Sequence, residues 1–474
     1  MFSQTGFAIL HYVYGEIKMQ IASITLGCKV NQFETNAMMS VLISRGHTPA
    51  KPGAGCDACI INTCAVTAES ARKSRQAVRR IRKIEPEAII AVCGCYSQLE
   101  PSTAQALGAD FVGGAGMRLD FALEIERLAA QRGTGTNMVA APSSFRAFEE
   151  LPPGSGATAK TRALLKIQDG CDSFCAYCVV PYTRGRSRSL PVGRAVEQAR
   201  QLEEQGFREI VVTGIEIASY GRDLQVKQGD CSSASFNTSG AMTPGDEAEE
   251  PSPCFTSAVQ AIAAAAPRAR IRLGSLDPRA ITEDFCRALE VIPNLCNHFH
   301  LSLQSGCDAT LLRMGRKYGS GEVRDSIGSL RRFFPDCGIT ADLITGFPGE
   351  TDEEYESTLG FIKEAGFTGM HIFPFSPRPG TRAAAMPGQI EKSVRIRRAR
   401  TASEAAEQIA RDFVASQVGK IVQVLFERKR DGLWTGHSAN YLEVSVRSGG
   451  GKNVVLPVRI TGADEGIIWG EVIR

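Results

Sequence analysis

Cys171, Cys175 and Cys178 fall within one short run, Gly170-Cys171-Asp172-Ser173-Phe174-Cys175-Ala176-Tyr177-Cys178. Closely spaced thiolates of this kind hold iron–sulfur clusters. Three thiolates leave one iron of a [4Fe–4S] cluster without a protein ligand, and an open position is what metal-based catalysis requires. Two plainer readings compete. Three buried structural cysteines would be inert, but C-x3-C-x2-C in a glycine-flanked loop argues against accident. A structural zinc needs a fourth ligand, and this loop holds no histidine.

A second constellation is dispersed. Cys28, Cys64 and Cys95 each follow a strand-like apolar run, at intervals of about one strand–helix–strand unit. Neighbouring parallel strands bring their C-terminal ends together, where open α/β sheets bind ligands. These three cysteines should therefore converge and hold a second metal centre. Single cysteines are commonly small buried hydrophobes, a reading that does not predict the phasing. Cys56 and Cys59 form a C-x2-C without a matching pair and read as incidental. Cys93 alternates with Cys95 and should point away from it. Cys231, Cys254, Cys286, Cys296, Cys307 and Cys337 show no grouping.

The elements that would position these groups are legible in outline. Strands over 21–26, 58–62 and 88–92, with helices over 33–45 and 68–84, predict an open parallel α/β sheet within residues 19–130. Residues 131–160 are rich in Gly, Pro, Ser and Thr and read as a linker. A second α/β series over 161–405 has strands at 163–168, 209–213, 270–273, 298–303, 339–344 and 370–375. Six βα units suggest a partial barrel with its working face at the strands' C-terminal ends, where the Cys171–Cys178 loop lies. Residues 224–254 are thinly apolar and read as a disordered insertion. Over 415–474, strands at 421–427, 441–446, 454–459 and 467–473, with turn signals at 431–432 and 448–452, predict a small antiparallel barrel of the oligonucleotide-binding type.

Composition narrows the class. The 474 residues are 43% hydrophobic and 22% charged, which excludes a disordered chain, and no apolar run is long enough to span a membrane. Fifteen cysteines are too sparse for a disulfide scaffold and suggest metal ligands in a reducing cytoplasm. Residues 1–18 lack the features of a secretory signal and read as an extension ahead of the first strand. The net charge of +3 is uninformative, but basic residues cluster. Residues 72–83 carry seven cations and no acid, 391–400 carry five, and Arg184, Arg186, Arg188 and Arg194 follow the cysteine loop. Such runs point to a polyanion, RNA above all.

The C-x3-C-x2-C motif resembles that of the radical S-adenosylmethionine superfamily. Its context, Lys166-Ile167-Gln168-Asp169-Gly170-Cys171 and Val180-Pro181-Tyr182-Thr183-Arg184-Gly185-Arg186, resembles the methylthiotransferase family. So do Leu26-Gly27-Cys28-Lys29-Val30-Asn31, Asn62-Thr63-Cys64 and Gly94-Cys95-Tyr96-Ser97-Gln98. The resemblance implies two [4Fe–4S] clusters, S-adenosylmethionine bound at the free iron of the first, reductive release of a 5′-deoxyadenosyl radical, and an electron donor. It assigns Cys171, Cys175 and Cys178 to the catalytic cluster, and Cys28, Cys64 and Cys95 to an auxiliary cluster that supplies or relays sulfur. Gly214 and Glu216 would approach the cofactor's amino group, with Gln304 and Asp342 at or near strand ends as further site-lining residues. The C-terminal barrel is similar to a TRAM domain, an RNA-binding module. Asn62-Thr63-Cys64-Ala65-Val66-Thr67 and His371-Ile372-Phe373-Pro374-Phe375-Ser376-Pro377-Arg378-Pro379-Gly380-Thr381 are similar to the branch that methylthiolates C2 of threonylcarbamoyladenosine in tRNA. The same chemistry on isopentenyl-adenosine tRNA or on a ribosomal-protein aspartate stays open, as does a non-enzymatic zinc and RNA-binding protein.

Overall fold

A computed structural model describes residues 17–131, 135, 137–154, 161–224, 255–464 and 466–473. Most of the expected 224–254 insertion, parts of the 131–160 linker, and residues 1–16 lie outside the described residues, as do Cys231 and Cys254.

The first unit is a parallel sheet of five strands: β1 (Gln20–Thr25), β2 (Thr48–Ala50), β3 (Ala58–Thr63), β4 (Ile89–Gly94) and β5 (Phe111–Val112), in the order β2-β1-β3-β4-β5. Sequence reading predicts three. The short edge strands β2 and β5 are too brief to show a period. Alternation along the central strands divides two cores: Ile61, Ile90 and Val92 pack on one face, and Ile60, Ala91 and Cys93 on the other. Cys95 lies with the first group: alternation along a strand would put residues two apart on one face, but Gly94 turns the chain at φ +109° and Cys95 starts a helix, so Cys93 and Cys95 face opposite cores. Thr25 pairs with Asn62, and Asn62 with Cys93. This register aligns the three strand ends from which Cys28, Cys64 and Cys95 depart.

The second unit carries β6 (Arg162–Lys166), the short β7 (Gln168–Asp169) and β8 (Arg188–Ser189), then β9 (Glu209–Thr213), β10 (Arg270–Leu273), β11 (Ser275–Leu276), β12 (His298–Gln304), β13 (Gly338–Thr345) and β14 (Gly369–Pro374). The six expected strands are present, divided into two parallel sheets, β10-β9-β6 and β11-β12-β13-β14. The chain breaks pairing at Gly274, between β10 and β11. One continuous apolar core nonetheless runs behind both sheets, joining Leu165, Val212, Leu273, Leu301 and Leu343. Along β12 and β13, fully buried residues alternate with half-buried His300, Ser302, Gln304, Thr340, Asp342 and Ile344. Strand residues two apart share a face, so this second set forms the polar inner wall of a half-barrel.

The last unit follows the long helix Lys392–Gln417. Its strands are β15 (Ile421–Arg430), β16 (Leu433–Ser438), β17 (Glu443–Val446), β18 (Val454–Asp464) and β19 (Ile467–Val472), and they close in the order β15-β16-β17-β19-β18. Two expectations are corrected. There are five strands and not four, because the turn at Asp431–Gly432 returns the chain as β16. The barrel is not wholly antiparallel, because β17 and β19 pair in parallel. It seats at the N-terminal ends of the second unit's strands. Arg272 donates to the carbonyls of Ser438 and Ala439, and Tyr441 stacks on His298 at 4.5 Å between ring centroids.

Candidate metal and cofactor site

The loop triad is positioned from below by Gln168. Its Nε2 donates to the carbonyls of Asp169 and Gly170, and its Oε1 accepts from the backbone N–H groups of Ile215 and Glu216. One side chain thus clips the start of the cysteine loop to the end of β9. Gly214 is needed beneath it: a Cβ there would stand 2.9 Å from Gln168. Gly170 turns the chain at φ +72°, and a Cβ would meet the Arg186 carbonyl oxygen at 1.9 Å, which only glycine avoids.

Each sulfur of this loop accepts one N–H. Ser173 N reaches Cys171 Sγ at 3.4 Å, Val180 N reaches Cys178 Sγ at 3.4 Å, and Arg316 Nη1 reaches Cys175 Sγ at 3.3 Å. Burial pushes the Cys171 thiol up and the Cys178 thiol up to about 12. As free thiols these groups stay protonated near neutral pH, so binding a metal must release protons. Aimed N–H donors and a nearby guanidinium stabilise thiolates charged by metal, which is the outer-shell support an iron–sulfur cluster needs. Among the described residues no three His, Cys, Asp or Glu side chains are arranged to hold a single metal ion.

Cys28, Cys64 and Cys95 come together as the strand phasing predicts. The Cys64 thiol feels both Cys95 and Cys28, and a Cβ on Gly27 would meet Cys64 Cβ at 2.7 Å and Sγ at 2.9 Å. Cys28 caps the helix Lys29–Ser44 and Cys95 opens the helix Cys95–Leu99. Helix N-termini favour thiolates. The expected helix start at 33 is corrected to Lys29, because the chain turns into helix directly after the cysteine. Val66 N donates to Cys64 Sγ at 3.5 Å. Burial lifts the Cys64 thiol to about 11, and the exposed Cys28 stands within reach of the Arg184 cation. Both triads therefore fit a cluster.

The connection between them is ionic and deeply buried. Arg184 donates to Glu34 Oε1 at 2.7 Å, to Asp169 Oδ1 at 3.0 Å and to Asn31 Oδ1 at 2.7 Å. Asn31 Nδ2 in turn holds the carbonyls of Leu26 and Thr63, which flank the Cys28 and Cys64 turns, and Asp169 Oδ1 accepts from Gly170 N beside Cys171. Arg118 and Lys166 complete the charge around Glu34. Burial alone would raise the Glu34 carboxyl, but Arg118, Arg184 and Lys166 draw it down to about 2. This corrects the electrostatic reading of the sequence: Arg184 and Arg188 are internal and paired to Asp169, and Arg398 is internal and paired to Glu350. Arg186 and Arg194 are exposed but face acids. Arg79, Arg80 and Lys83 remain exposed on the helix Ala68–Ile84, without an ion pair among the described residues.

Glu216 and Cys171 share the wall of a cavity of about 820 Å³, with Asp277, Arg279 and Lys317. Glu216 Oε1 is buried without a hydrogen-bond partner. Burial, reinforced by Asp277, raises its carboxyl to about 7. An orphaned acid beside the cysteine loop suits a cationic ligand group such as an amino acid ammonium. Asp342 and Gln304 stand elsewhere, on the inner wall of the half-barrel. Asp342 faces His300 Nε2 at 3.2 Å and lies within electrostatic reach of Lys29. Gln304 ends β12 at φ +67°, a strained conformation of the kind found at functional sites. Arg316, Gln168, Lys29 and the Glu34 network were not flagged by sequence reading. Only the clustering of Lys166, Asp169 and Arg184 around the cysteine loop hinted at the last.

Comparison with known proteins agrees with this architecture. Residues 20–114 match the uncharacterized protein family UPF0004, and residues 165–362 match the radical SAM superfamily. The solved structure of TsrM from Kitasatospora setae, a radical S-adenosylmethionine methyltransferase with cobalamin and a [4Fe–4S] cluster bound, aligns at a TM-score of 0.54. That alignment covers 88% of this chain and 81% of that one at 12% identity, a likeness of fold alone. Fold and cysteine loop together define a radical S-adenosylmethionine enzyme with an added N-terminal α/β domain. The particular family comes from sequence relatives. Threonylcarbamoyladenosine tRNA methylthiotransferase MtaB of Bacillus subtilis is 33% identical over 430 residues, covering 90% of this chain and 89% of that protein. The MtaB of Thermotoga maritima is 33% identical, covering 88% and 89%. The tRNA-2-methylthio-N(6)-dimethylallyladenosine synthase of Symbiobacterium thermophilum is 28% identical, covering 98% and 96%. This chain belongs to the MtaB-type radical S-adenosylmethionine methylthiotransferases, enzymes that use S-adenosylmethionine and two [4Fe–4S] clusters.

Proposed function

We propose that this chain adds a methylthio group to C2 of N6-threonylcarbamoyladenosine beside the anticodon of tRNA. Cys171, Cys175 and Cys178 hold the cluster that meets S-adenosylmethionine, and Cys28, Cys64 and Cys95 hold the auxiliary cluster. When bound, these groups supply one-electron chemistry, sulfur and methyl, which an adenine C2–H demands because it is neither acidic nor electrophilic enough for a general base or nucleophile. The chain's own residues bind and orient. Glu216 accepts the cofactor's ammonium, and Gln168 fixes the β9 end against the cysteine loop. Arg316 supports the Cys175 sulfur. Arg184 and Asn31 hold the auxiliary site at a set distance from the catalytic one. Arg79, Arg80 and Lys83 and the C-terminal barrel offer cationic and barrel surfaces for the RNA backbone. A reducing cytoplasm, with tRNA and a low-potential electron donor, is the compartment this reading requires.

The observation that carries the proposal is the pairing of two cysteine triads through one buried ion network. The test is nucleoside mass spectrometry of tRNA from cells with and without the gene. The expected result is loss of 2-methylthio-threonylcarbamoyladenosine with accumulation of its unthiolated precursor. An unchanged threonylcarbamoyl pool overturns the substrate and directs attention to isopentenyl-adenosine.

A further inference from the structure

The loop after β14 approaches the N-terminal domain: Ser376 Oγ accepts from Ala68 N at 3.0 Å, at the start of the helix that follows Cys64. Two residues on, Arg378 is 6% exposed, and its Nε is buried without a hydrogen-bond partner. The groups within its electrostatic reach are Glu100, the Cys64 thiol, Arg75 and Tyr96. Glu100 also accepts from Tyr96 Oη at 3.3 Å, and the Arg75 guanidinium lies over the Tyr96 ring at 5.8 Å. Two guanidiniums thus stand near one carboxylate, next to the auxiliary cysteines. A buried guanidinium with an orphaned N–H calls for an anion with oxygen acceptors.

We infer that Arg378, assisted by Arg75, receives the free carboxylate of the threonylcarbamoyl group. The inference rests on the substrate reading above and deepens it: an N6-threonylcarbamoyl substituent ends in a carboxylate, whereas an isopentenyl group carries no charge. A site at Arg378 places that carboxylate near the Cys64 turn. Such a charge-assisted contact also lets the enzyme reject adenosine that has not yet been threonylcarbamoylated.

The test uses the cluster-loaded full-length chain and three anticodon stem-loop RNAs. These carry threonylcarbamoyladenosine, its threonyl methyl ester, or plain adenosine at the same position. The wild-type chain should bind the acid more tightly than the ester by roughly ten- to a hundredfold, the range expected for a lost hydrogen-bonded charge contact. Arg378→Gln should bring acid, ester and plain adenosine close to equal affinity. The ester leaves the protein unaltered, so it decides the question even if the variant folds poorly. Equal wild-type affinity for acid and ester overturns the inference. So does an Arg378→Gln chain that keeps the wild-type preference for the acid, or one that loses affinity for all three RNAs alike, as a guanidinium serving only the cluster would. If the wild-type chain discriminates none of the three, the substrate reading falls as well. If it prefers both threonylcarbamoyl forms equally over adenosine, only the carboxylate contact falls.

Discussion

The loop triad takes its three sulfurs from eight consecutive residues, whereas the strand-end triad takes its three from separate crossovers of a parallel sheet. The first is assembled by local backbone: Gly170 turns the chain, and two of the three sulfurs accept N–H groups only two residues away. The second exists only when β1, β3 and β4 are in register, with Asn31 tying the ends of β1 and β3 and Thr63 Oγ1 donating to the Cys93 carbonyl of β4. A local site tolerates distant change, while a dispersed site inherits every weakness of the fold that builds it.

The largest expected contrast comes from removing a ligand of each. Cys171→Ala should abolish reductive cleavage of S-adenosylmethionine, measured as 5′-deoxyadenosine. Cys64→Ala should retain that cleavage, lose methylthiolated product, and bind about four irons per chain in place of about eight. Product from reconstituted Cys64→Ala would remove the distinction between the sites.

Next is the network that joins them. Glu34→Gln leaves Arg118, Arg184 and Lys166 without their shared carboxylate, and breaking a buried ion cluster costs about 3–5 kcal/mol. Thermal unfolding should show a lowered Tm, and iron should be lost from the strand-end site before the loop site. The sign with pH is fixed by the Glu34 pKa, drawn from its ordinary 4.5 to about 2. Its stabilisation is complete above about 4.5 and disappears as pH falls through 2. Wild-type and Glu34→Gln chains should therefore converge in stability toward strong acid. A variant as stable as wild type at neutral pH would show that the network is not what holds the domains.

A smaller effect tests the strand-end site alone. Gly27 has φ +99° and would drive a Cβ into Cys64, so Gly27→Ala should weaken auxiliary iron retention without altering cleavage of S-adenosylmethionine. Full iron content in that variant would mean that the Cys64 turn relaxes freely.

These differences explain what could be read in advance. The loop triad was legible because its chemistry sits in one short string. The strand-end triad was legible through periodicity, since Cys28, Cys64 and Cys95 repeat with the crossover length. The strands β2, β5 and β16 were not, being too short or too polar to show alternation. The Arg184 partnership was misread as a surface patch. A sequence records that Arg184 is basic, but not that Glu34, 150 residues earlier, is folded against it. Arg316 and Gln168 escaped notice for the same reason, as their partners are a sulfur and backbone groups brought close only by the barrel.

The smallest effect separates the two sites by pH. Glu216 shares a cavity with Cys171, and its Oε1 is buried there without a hydrogen-bond partner. With a carboxyl raised from 4.5 to about 7 by burial and Asp277, it is largely protonated at about pH 6 and largely ionised at about pH 8. Only the ionised form accepts a cofactor ammonium without a competing proton. Calorimetric affinity for S-adenosylmethionine should therefore rise by about tenfold between these values, because the competent fraction rises by about that factor. In Glu216→Gln the dependence should vanish, while the iron content of both sites stays at its wild-type value. A wild-type affinity that is flat across this range would place the ammonium on another acceptor, with Asp277, in the same cavity and already held low by Arg279 and Arg316, the next candidate.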